Sequence, residues 1–330
     1  MKKICFCLVL IFVVVGMVFS GGQRDRGRTV LRLGGVNAIE APETIATQMM
    51  ARLVSEKSGG TLEIQVFPAS QLGSAITQFE AVSMGTQDMF IDSSTFVGTF
   101  LRDRQVDGMF FVFRDAAHFR AFMRSDLNRQ LEEDFRRVKG IRIISNNWYR
   151  TPRSFASRIP FDAETFQGML VRVPDIRGYL ESVSAMGGNP VQLAWAEVYL
   201  GLMQGVVCAA ESPPESLIAS RLHETVNNIV LTRHLHDAKT VFINDRAWNR
   251  LSPEHQRILV ESAREAGEWY VAHIEANLEA VMRAFQNEGA NLVEIDVGPF
   301  RERVARRVQE IEAEGHMWRR GLFQEIQDIR

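Results

Sequence analysis

The chain has 330 residues, of which 46% are hydrophobic and 24% are charged, and its formal net charge at pH 7 is -2. This composition is typical of a globular protein, and the balance of charges excludes a strongly basic nucleic-acid-binding surface. A chain of this length exceeds what one compact core usually holds, so we expect two lobes.

The first residues have the pattern of an export signal. Lys2 and Lys3 precede an apolar run from Ile4 to Phe19, and short residues lie before Gly21. We therefore predict a signal peptide at 1–20, a flexible tether at 21–28 and a periplasmic location. The run is shorter than the roughly 20 residues of a bilayer span, and an uncleaved N-terminal anchor is the alternative. Cys208 is then the single cysteine left, so no internal disulfide is expected.

Strands and helices alternate along the next part of the chain. The predicted elements are, in order, a strand at TVLRLGGV, a helix over 42–57, a strand at TLEIQVF, a helix over 78–84 that ends at Gly85, a strand at DMFI, a helix from Ala116 and a strand at GIRIIS. This βαβ order favours a mostly parallel sheet with helices on both faces. Ligands of such sheets bind beyond the carboxyl ends of the strands.

An arginine interrupts the next predicted strand, in the octapeptide GMLVRVPD. Leu170, Val171 and Val173 favour a strand and Pro174 ends it, which puts Arg172 near its carboxyl end. A guanidinium is always charged and is rarely buried without a partner. From these eight residues alone, a salt bridge to a carboxylate of the protein is the expected role of Arg172.

The tail of the chain predicts one long helix. Ser252 can cap it, Pro253 suits the first turn, and Glu254 favours the positive end of the helix dipole. Apolar residues keep helical spacing as far as Phe285, and Gly289 ends the pattern. More than 30 residues at 1.5 Å each span roughly 50 Å, so we expect this helix to cross both lobes.

Motifs that carry chemistry are missing from the sequence. It has no phosphate-binding glycine loop, no nucleophile elbow and no Cys-x-x-Cys pair. His234 and His236 with Asp237 could hold a metal, although a solvated loop is the favoured interpretation. Cys208 near Glu211 has no histidine close in sequence and is interpreted as a small buried residue. We therefore predict no catalytic residue, no metal and no cofactor.

Several stretches together resemble one family. The segment GMLVRVPDIRGYLESVSAMGGNPVQLAWAEVYLGLMQGVVCAAESP is similar to the solute-binding proteins of TRAP (tripartite ATP-independent periplasmic) transporters, the C4-dicarboxylate-receptor-like family. The stretches SGGTLEIQVFPASQLG, FEAVSMGTQDM and FINDRAWNRLSPEHQRILVESAREA extend the resemblance over most of the chain from Leu31 to Asp296.

The resemblance implies a two-lobed type II periplasmic-binding-protein-like α/β fold. Such a fold has hinge strands, a long C-terminal helix that spans both lobes, and a ligand between the lobes. On this basis we assign residues 29–149 and 238–277 to lobe 1, and residues 150–237 and 278–330 to lobe 2.

The resemblance also implies the binding residues. The arginine of the family's matching segment binds the ligand carboxylate, which transfers to Arg172 and replaces the salt bridge as the expected role. A second ligand arginine corresponds to Arg153, with Arg150 as the alternative. The other predicted ligand-binding residues are Trp195, Ser212, Asp92, Asn37 and Trp148.

One departure from the family pattern bears on the solute. Relatives usually have VDGQEN where this chain has VCAAES, so Ser212 replaces an asparagine that commonly touches the ligand. Trp148, Phe155 and Trp195 further suggest an apolar cleft. A monocarboxylate with an apolar body is therefore favoured over a C4-dicarboxylate, and a mainly hydrophobic solute is the alternative.

The predicted function is that of an extracytoplasmic solute receptor. It would deliver a small organic acid to the membrane permease subunits of a TRAP transporter, as a monomer, and a helical-repeat periplasmic lipoprotein is a further partner to consider. A periplasmic sensor and an exported enzyme on the same fold are the alternatives, and the missing catalytic constellation disfavours the enzyme.

Overall fold

The computed structural model describes residues 28–330, so the predicted signal peptide and all of the tether but its last residue lie outside the described residues. Its strands are β1 (Thr29–Gly35), β2 (Leu62–Phe67), β3 (Met89–Ser93), β4 (Ile141–Tyr149), β5 (Arg153–Ser157), β6 (Leu170–Val173), β7 (Asn189–Gln192), β8 (Ala209–Ser212), β9 (Asn228–Leu235), β10 (Ala238–Asn244) and β11 (Asn291–Val293). Its α-helices are α1 (Pro42–Lys57), α2 (Ala75–Met84), α3 (Val97–Phe100), α4 (Ala116–Arg124), α5 (Asp126–Lys139), α6 (Arg177–Met186), α7 (Val198–Met203), α8 (Pro214–Ala219), α9 (Asp245–Arg250), α10 (Pro253–Asn287), α11 (Gly298–Glu314) and α12 (Leu322–Gln327).

The ends of several helices follow local sequence signals. The bounds of α1 are confirmed at Pro42 and Lys57. Gly85 ends α2 in the left-handed conformation, with φ of 82°. The α2 helix begins three residues earlier than predicted because the side chain of Ser74 caps it by accepting a hydrogen bond from the backbone N–H of Thr77.

The strands form two sheets. The first has the order β2-β1-β3-β10-β4, and the second has the order β11-β9-β5-β8-β6-β7. In the first sheet β1 runs parallel to β2 and β3, whereas β10 runs antiparallel to β3 and β4. In the second, β5 is antiparallel to β8 and β9, and the remaining pairs are parallel.

The expectation of a mostly parallel arrangement is confirmed in each sheet, because only β10 in the first and β5 in the second run against the other strands. The chain crosses from the first sheet to the second at residues 150–152 and returns at residues 236–237. A strand that enters a sheet by such a crossing, rather than through a helix, can lie antiparallel to its neighbours. The two crossings touch, since the backbone N–H of Arg150 donates to the carbonyl of Asp237 at 3.2 Å.

The long helix α10 contributes to the cores of both sheets. Ser252 caps it by accepting from the backbone N–H of His255, and the helix continues for 35 residues. Its first half buries Leu259 and Ala266 against the first sheet, and Phe285 near its end packs with Ala156 of the second. The expectation that this helix spans both lobes is thus confirmed. No helix within residues 28–330 is long and apolar enough to cross a membrane.

Candidate functional site

A cavity of about 310 Å³ lies where strands of both sheets end. The first sheet contributes residues from β3, from the start of β10 and from the segment after β1, and the second contributes residues from β5, β6 and β8. This volume is at the small end of the range for ligand pockets in proteins, so it suits a small solute.

The structure brings six of the seven predicted site residues to this cavity. The residues that line it are Asn37, Asp92, Arg153, Arg172, Trp195 and Ser212, and the alternative arginine Arg150 lines it too. These residues come from six separate parts of the chain, and the fold alone puts them together. Their contact with a solute stays a prediction.

Trp148 is the exception. It does not line the cavity, so the prediction that it lies in the cleft is wrong. Its side chain is fully buried in the core between β4 and α10, where the indole N–H donates to the carbonyl of Ala263 at 2.9 Å. A Cβ atom at Gly267 would lie 2.4 Å from this indole, so the glycine makes room for it. Phe155 is also core, with its ring stacked on His234.

Arg172 is a buried arginine that has no acidic partner among the residues the structure describes. Its Nε and Nη2 atoms donate to the carbonyl of Leu193 at 3.0 and 2.9 Å, and its guanidinium lies 5.3 Å from the ring centre of Trp195. Among residues 28–330, no carboxylate oxygen lies within 4.0 Å of it. Burial lowers the pKa of Arg172 to about 10, which leaves it charged at neutral pH.

Arg153 lies close to Arg172 but is paired within the protein. Its Nη2 donates to Oε1 of Glu211 at 2.9 Å, its Nε donates to the other oxygen, and its Nη1 lies 3.3 Å from Oδ2 of Asp237. Burial is the largest single effect and disfavours the charge, but Glu211 and the other acidic groups around Arg153 together outweigh it and hold the pKa of Arg153 above its ordinary value. The pKa of Glu211 is lowered in the same way, because Arg153 and His234 together outweigh its burial.

Arg150 belongs to the same charged network at the two crossings. Its Nη1 donates to Oδ2 of Asp237 at 3.1 Å, and its Nη2 donates to Oγ of Ser216 at 2.7 Å. Asp237 therefore accepts from both arginines and joins the segment before β5 to the segment before β10. This arrangement fixes the geometry of the crossings behind the cavity.

His234 is part of the packed interior rather than of a metal pair. Its ring nitrogen Nδ1 lies 2.7 Å from the hydroxyl of Thr232, and burial lowers its pKa, which favours the neutral ring. Among the residues that the structure describes, no group of three histidine, cysteine or acidic side chains is arranged to hold a metal ion.

Lys239 is a cavity residue that the sequence analysis missed. It lies on β10, and its ammonium donates to Oδ1 of Asn37 and to Oδ1 of Asp92, both at 2.8 Å. The signal was available, since Lys239 interrupts the apolar strand AKTVFIN as Arg172 interrupts LVRV. Tyr179 is a second missed residue, and its hydroxyl lies 3.3 Å from that of Thr95.

The fold and the site together define the class of protein. Two mixed α/β sheets, joined by two crossings and a spanning helix, enclose a cavity lined by fixed charges, as in two-lobed ligand receptors. The model of the family described as bacterial extracellular solute-binding protein, family 7, matches residues 33–314, and the chain belongs to this family.

Individual relatives agree with this assignment. The sialic acid-binding periplasmic protein SiaP of Vibrio cholerae is 23% identical over 287 residues, which cover 87% of this chain and 89% of that protein. A TRAP periplasmic solute-binding protein from Polaromonas sp. JS666, bound to D-erythronate, has a TM-score of 0.84 at 21% identity, and the match covers 92% of this chain and 99% of that chain.

A third relative has a similar fold. A TRAP periplasmic solute-binding protein from Sulfitobacter sp. NAS-14.1, with bound β-D-galacturonate, has a TM-score of 0.83 at 25% identity, and the match covers 91% of this chain and 98% of that chain. The resemblance to TRAP solute-binding proteins is thereby confirmed, and so is the two-lobed type II α/β fold.

Proposed function

We propose that this protein is the receptor of a TRAP-type transporter for a small organic acid with one carboxylate, which Arg172 binds in the cavity. The observation that carries the proposal is the guanidinium of Arg172, which has no acidic partner within residues 28–330. A buried charge without a partner is costly, and a planar guanidinium matches a carboxylate with two parallel hydrogen bonds. A solute carboxylate would supply the missing partner.

The other charges at the cavity support a single carboxylate. Arg150 and Arg153 share Asp237, Arg153 also binds Glu211, and Lys239 binds Asp92. Each of these three cations already has an acidic partner, so a second solute carboxylate would meet no unpaired cation among the described residues that line the cavity. This distribution of charge disfavours a C4-dicarboxylate, and the charges as a whole disfavour a solute that is only hydrophobic.

The walls of the cavity suggest the body of the solute. One part of the lining is apolar, with Ile76, Phe96, Ile176 and Trp195. A carbon skeleton that packs on these side chains agrees with a monocarboxylate that has an apolar face. The relatives described above are named for, or were solved with, three ligands: sialic acid, D-erythronate and β-D-galacturonate. Each of these ligands is an acid with one carboxylate.

The protein would act in the periplasm as a monomer without catalysis and would deliver the solute to membrane permease subunits. The two crossings and the spanning helix suit a hinge, about which the lobes close on the solute. The identity of the solute is best tested by mass spectrometry of molecules released from the purified protein, followed by calorimetric titration with the acid found. Recovery of a neutral or cationic molecule as the bound solute would overturn the proposal, and so would failure of every monocarboxylate to bind.

A further inference from the structure

A buried carboxylate lies at the first crossing, outside the cavity. Glu215 is on α8, which follows β8 of the second sheet, and it is 3% exposed. The hydroxyl of Tyr270 donates to its Oε1 at 3.2 Å, and the hydroxyl of Thr151 donates to its Oε2. Within residues 28–330, no arginine, lysine or histidine nitrogen lies within 4.0 Å of this carboxylate. Glu215 is therefore a buried acid held by hydroxyl groups rather than by a cation.

Helices that pack on the first sheet supply much of the surroundings of Glu215. Tyr270 of α10 lies in the core of that sheet, and α1 brings Glu43 to the same site. The hydroxyl of Ser216 donates to Oε1 of Glu43 at 2.9 Å, whereas Oε2 of Glu43 is buried and has no partner among the described residues. Lys239 of β10 lines a small cavity with Glu43 but already pairs with an aspartate. Contact between α8 and the first lobe therefore buries Glu215 near a second carboxylate.

The arginines of the crossings do not balance the charge of Glu215. Arg150 lies 3.8 Å from Oε1 of Glu43, but its Nη1 donates to Asp237 at 3.1 Å. Arg153 shares Asp237 and has a further acidic partner of its own. An excess of negative charge in a buried site is unfavourable, and it favours the protonated form of an acid. Two arginines thus face four carboxylates, with Arg150 and Arg153 against Glu43, Glu211, Glu215 and Asp237.

The immediate contacts of Glu215 suit a protonated acid. Burial is the largest effect and raises the pKa of Glu215 above its ordinary value of 4.5. Arg150 and the hydrogen bond from Thr151 lower this pKa, whereas Glu43 raises it. The hydroxyls of Thr151 and Tyr270 accept hydrogen bonds as well as donate them, so either can bind the acid with its proton in place.

We propose that closure of the lobes around the solute places a proton from the solvent on Glu215, so that solute binding is coupled to proton uptake. The inference rests on the proposed function, since it is the solute that closes the lobes. Movement of α8 away from α1 and α10 exposes the carboxylate of Glu215 to water, where its pKa returns towards 4.5. Closure thus raises this pKa, and the contribution of Glu215 to closure is fully present below pH 4.5 and is lost as pH rises through the raised value. The affinity for the solute should therefore fall as pH rises, by up to about tenfold per pH unit.

Calorimetric titration at neutral pH in two buffers of different ionisation enthalpy, phosphate and Tris, measures the protons taken up. The probes are straight-chain aldonates and alkanoates of four to six carbons, and the one that binds most tightly is used. The expected result is uptake of a large fraction of one proton per solute bound. Binding without proton uptake would overturn the inference and leave the receptor proposal standing. Failure of every probe to bind would overturn the proposed function, and the inference with it.

Variants then assign the proton to Glu215. Glu215→Gln keeps the shape of the side chain and does not titrate, so proton uptake should vanish and the affinity should no longer depend on pH. Glu43→Gln removes the neighbouring negative charge and should reduce the uptake. The matched control is Asp107→Asn, which removes another buried carboxyl of raised pKa whose charged neighbours are Arg104 and Glu132, and it should keep the wild-type uptake. Wild-type uptake in Glu215→Gln or in Glu43→Gln would overturn the assignment.

Discussion

Arg172 directs two of its N–H groups, from Nε and Nη2, at the single carbonyl oxygen of Leu193, at 3.0 and 2.9 Å. These bonds orient the guanidinium without neutralising it, because the oxygen of a peptide carries no formal charge. The side chain is therefore held in place although no residue in 28–330 supplies an anion to pair with it.

Replacing Arg172 should separate binding from folding. We expect Arg172→Ala to weaken binding of the solute by roughly 2–5 kcal/mol, which is about 30-fold to several thousandfold. Arg172→Lys should recover only part of this loss, since an ammonium cannot make two parallel bonds. The melting temperature of the solute-free protein should stay the same or rise, because an unpaired buried charge is removed.

Calorimetric titration and thermal melts of both variants check this prediction. If Arg172→Ala binds within about threefold of the wild type, a difference under 1 kcal/mol, Arg172 is not the carboxylate anchor. A large fall in melting temperature would instead indicate a structural role.

Arg153 should behave in the opposite way. Arg153→Met leaves Glu211 buried without its partner, and breaking such a pair typically costs about 3–5 kcal/mol of unfolding free energy. The double variant Arg153→Met with Glu211→Leu should regain part of this stability, since no charge is then left unpaired. Urea unfolding of the three proteins measures the effect, and wild-type stability of the single variant would contradict it.

Asp107 should make stability depend on pH. This carboxyl lies 2.6 Å from Arg104, but burial outweighs that charge and raises its pKa from 3.8 to about 6. Between these two values the folded state holds a proton that the unfolded state has released, so the free energy of unfolding falls as pH rises. The contribution of Asp107 is fully present below pH 4 and is lost above pH 6, and it amounts to roughly 3 kcal/mol.

The variant Asp107→Asn tests this dependence, because an amide does not titrate. The stability difference between the wild type and the variant should shrink or change sign from pH 4 to pH 6, measured by urea unfolding at each pH. A difference that stays constant across this interval would show that Asp107 is ionised throughout.

The two tryptophans give a matched comparison. Trp148→Phe removes the hydrogen bond to Ala263 and fills the core less well, so we expect a loss of about 1–3 kcal/mol of stability with unchanged affinity. Trp195 is partly exposed and lines the cavity, so Trp195→Ala should weaken binding with little change in melting temperature. If Trp148→Phe weakened binding and Trp195→Ala lowered the melting temperature instead, Trp148 would be the residue that lines the cleft.

Much of the local structure could be predicted from neighbouring residues. The bounds of α1, the cap of α10 at Ser252 and the turn at Gly85 depend on side chains within a few positions, so the sequence contains the whole signal. The position of Arg172 in a short apolar strand that Pro174 ends is of the same kind. The family was also visible, because its motifs are contiguous stretches.

The tertiary structure decided which charges are paired and which face each strand residue takes. Lys239 and Asp92 are 147 positions apart, and Arg153 and Glu211 are 58 positions apart, so no local pattern joins them. Strand alternation gives Trp148 one of two faces, and only the packing of α10 on β4 shows that its face is the core. The physical reason is that pairing between distant strands places these side chains, and that pairing is set by the whole chain.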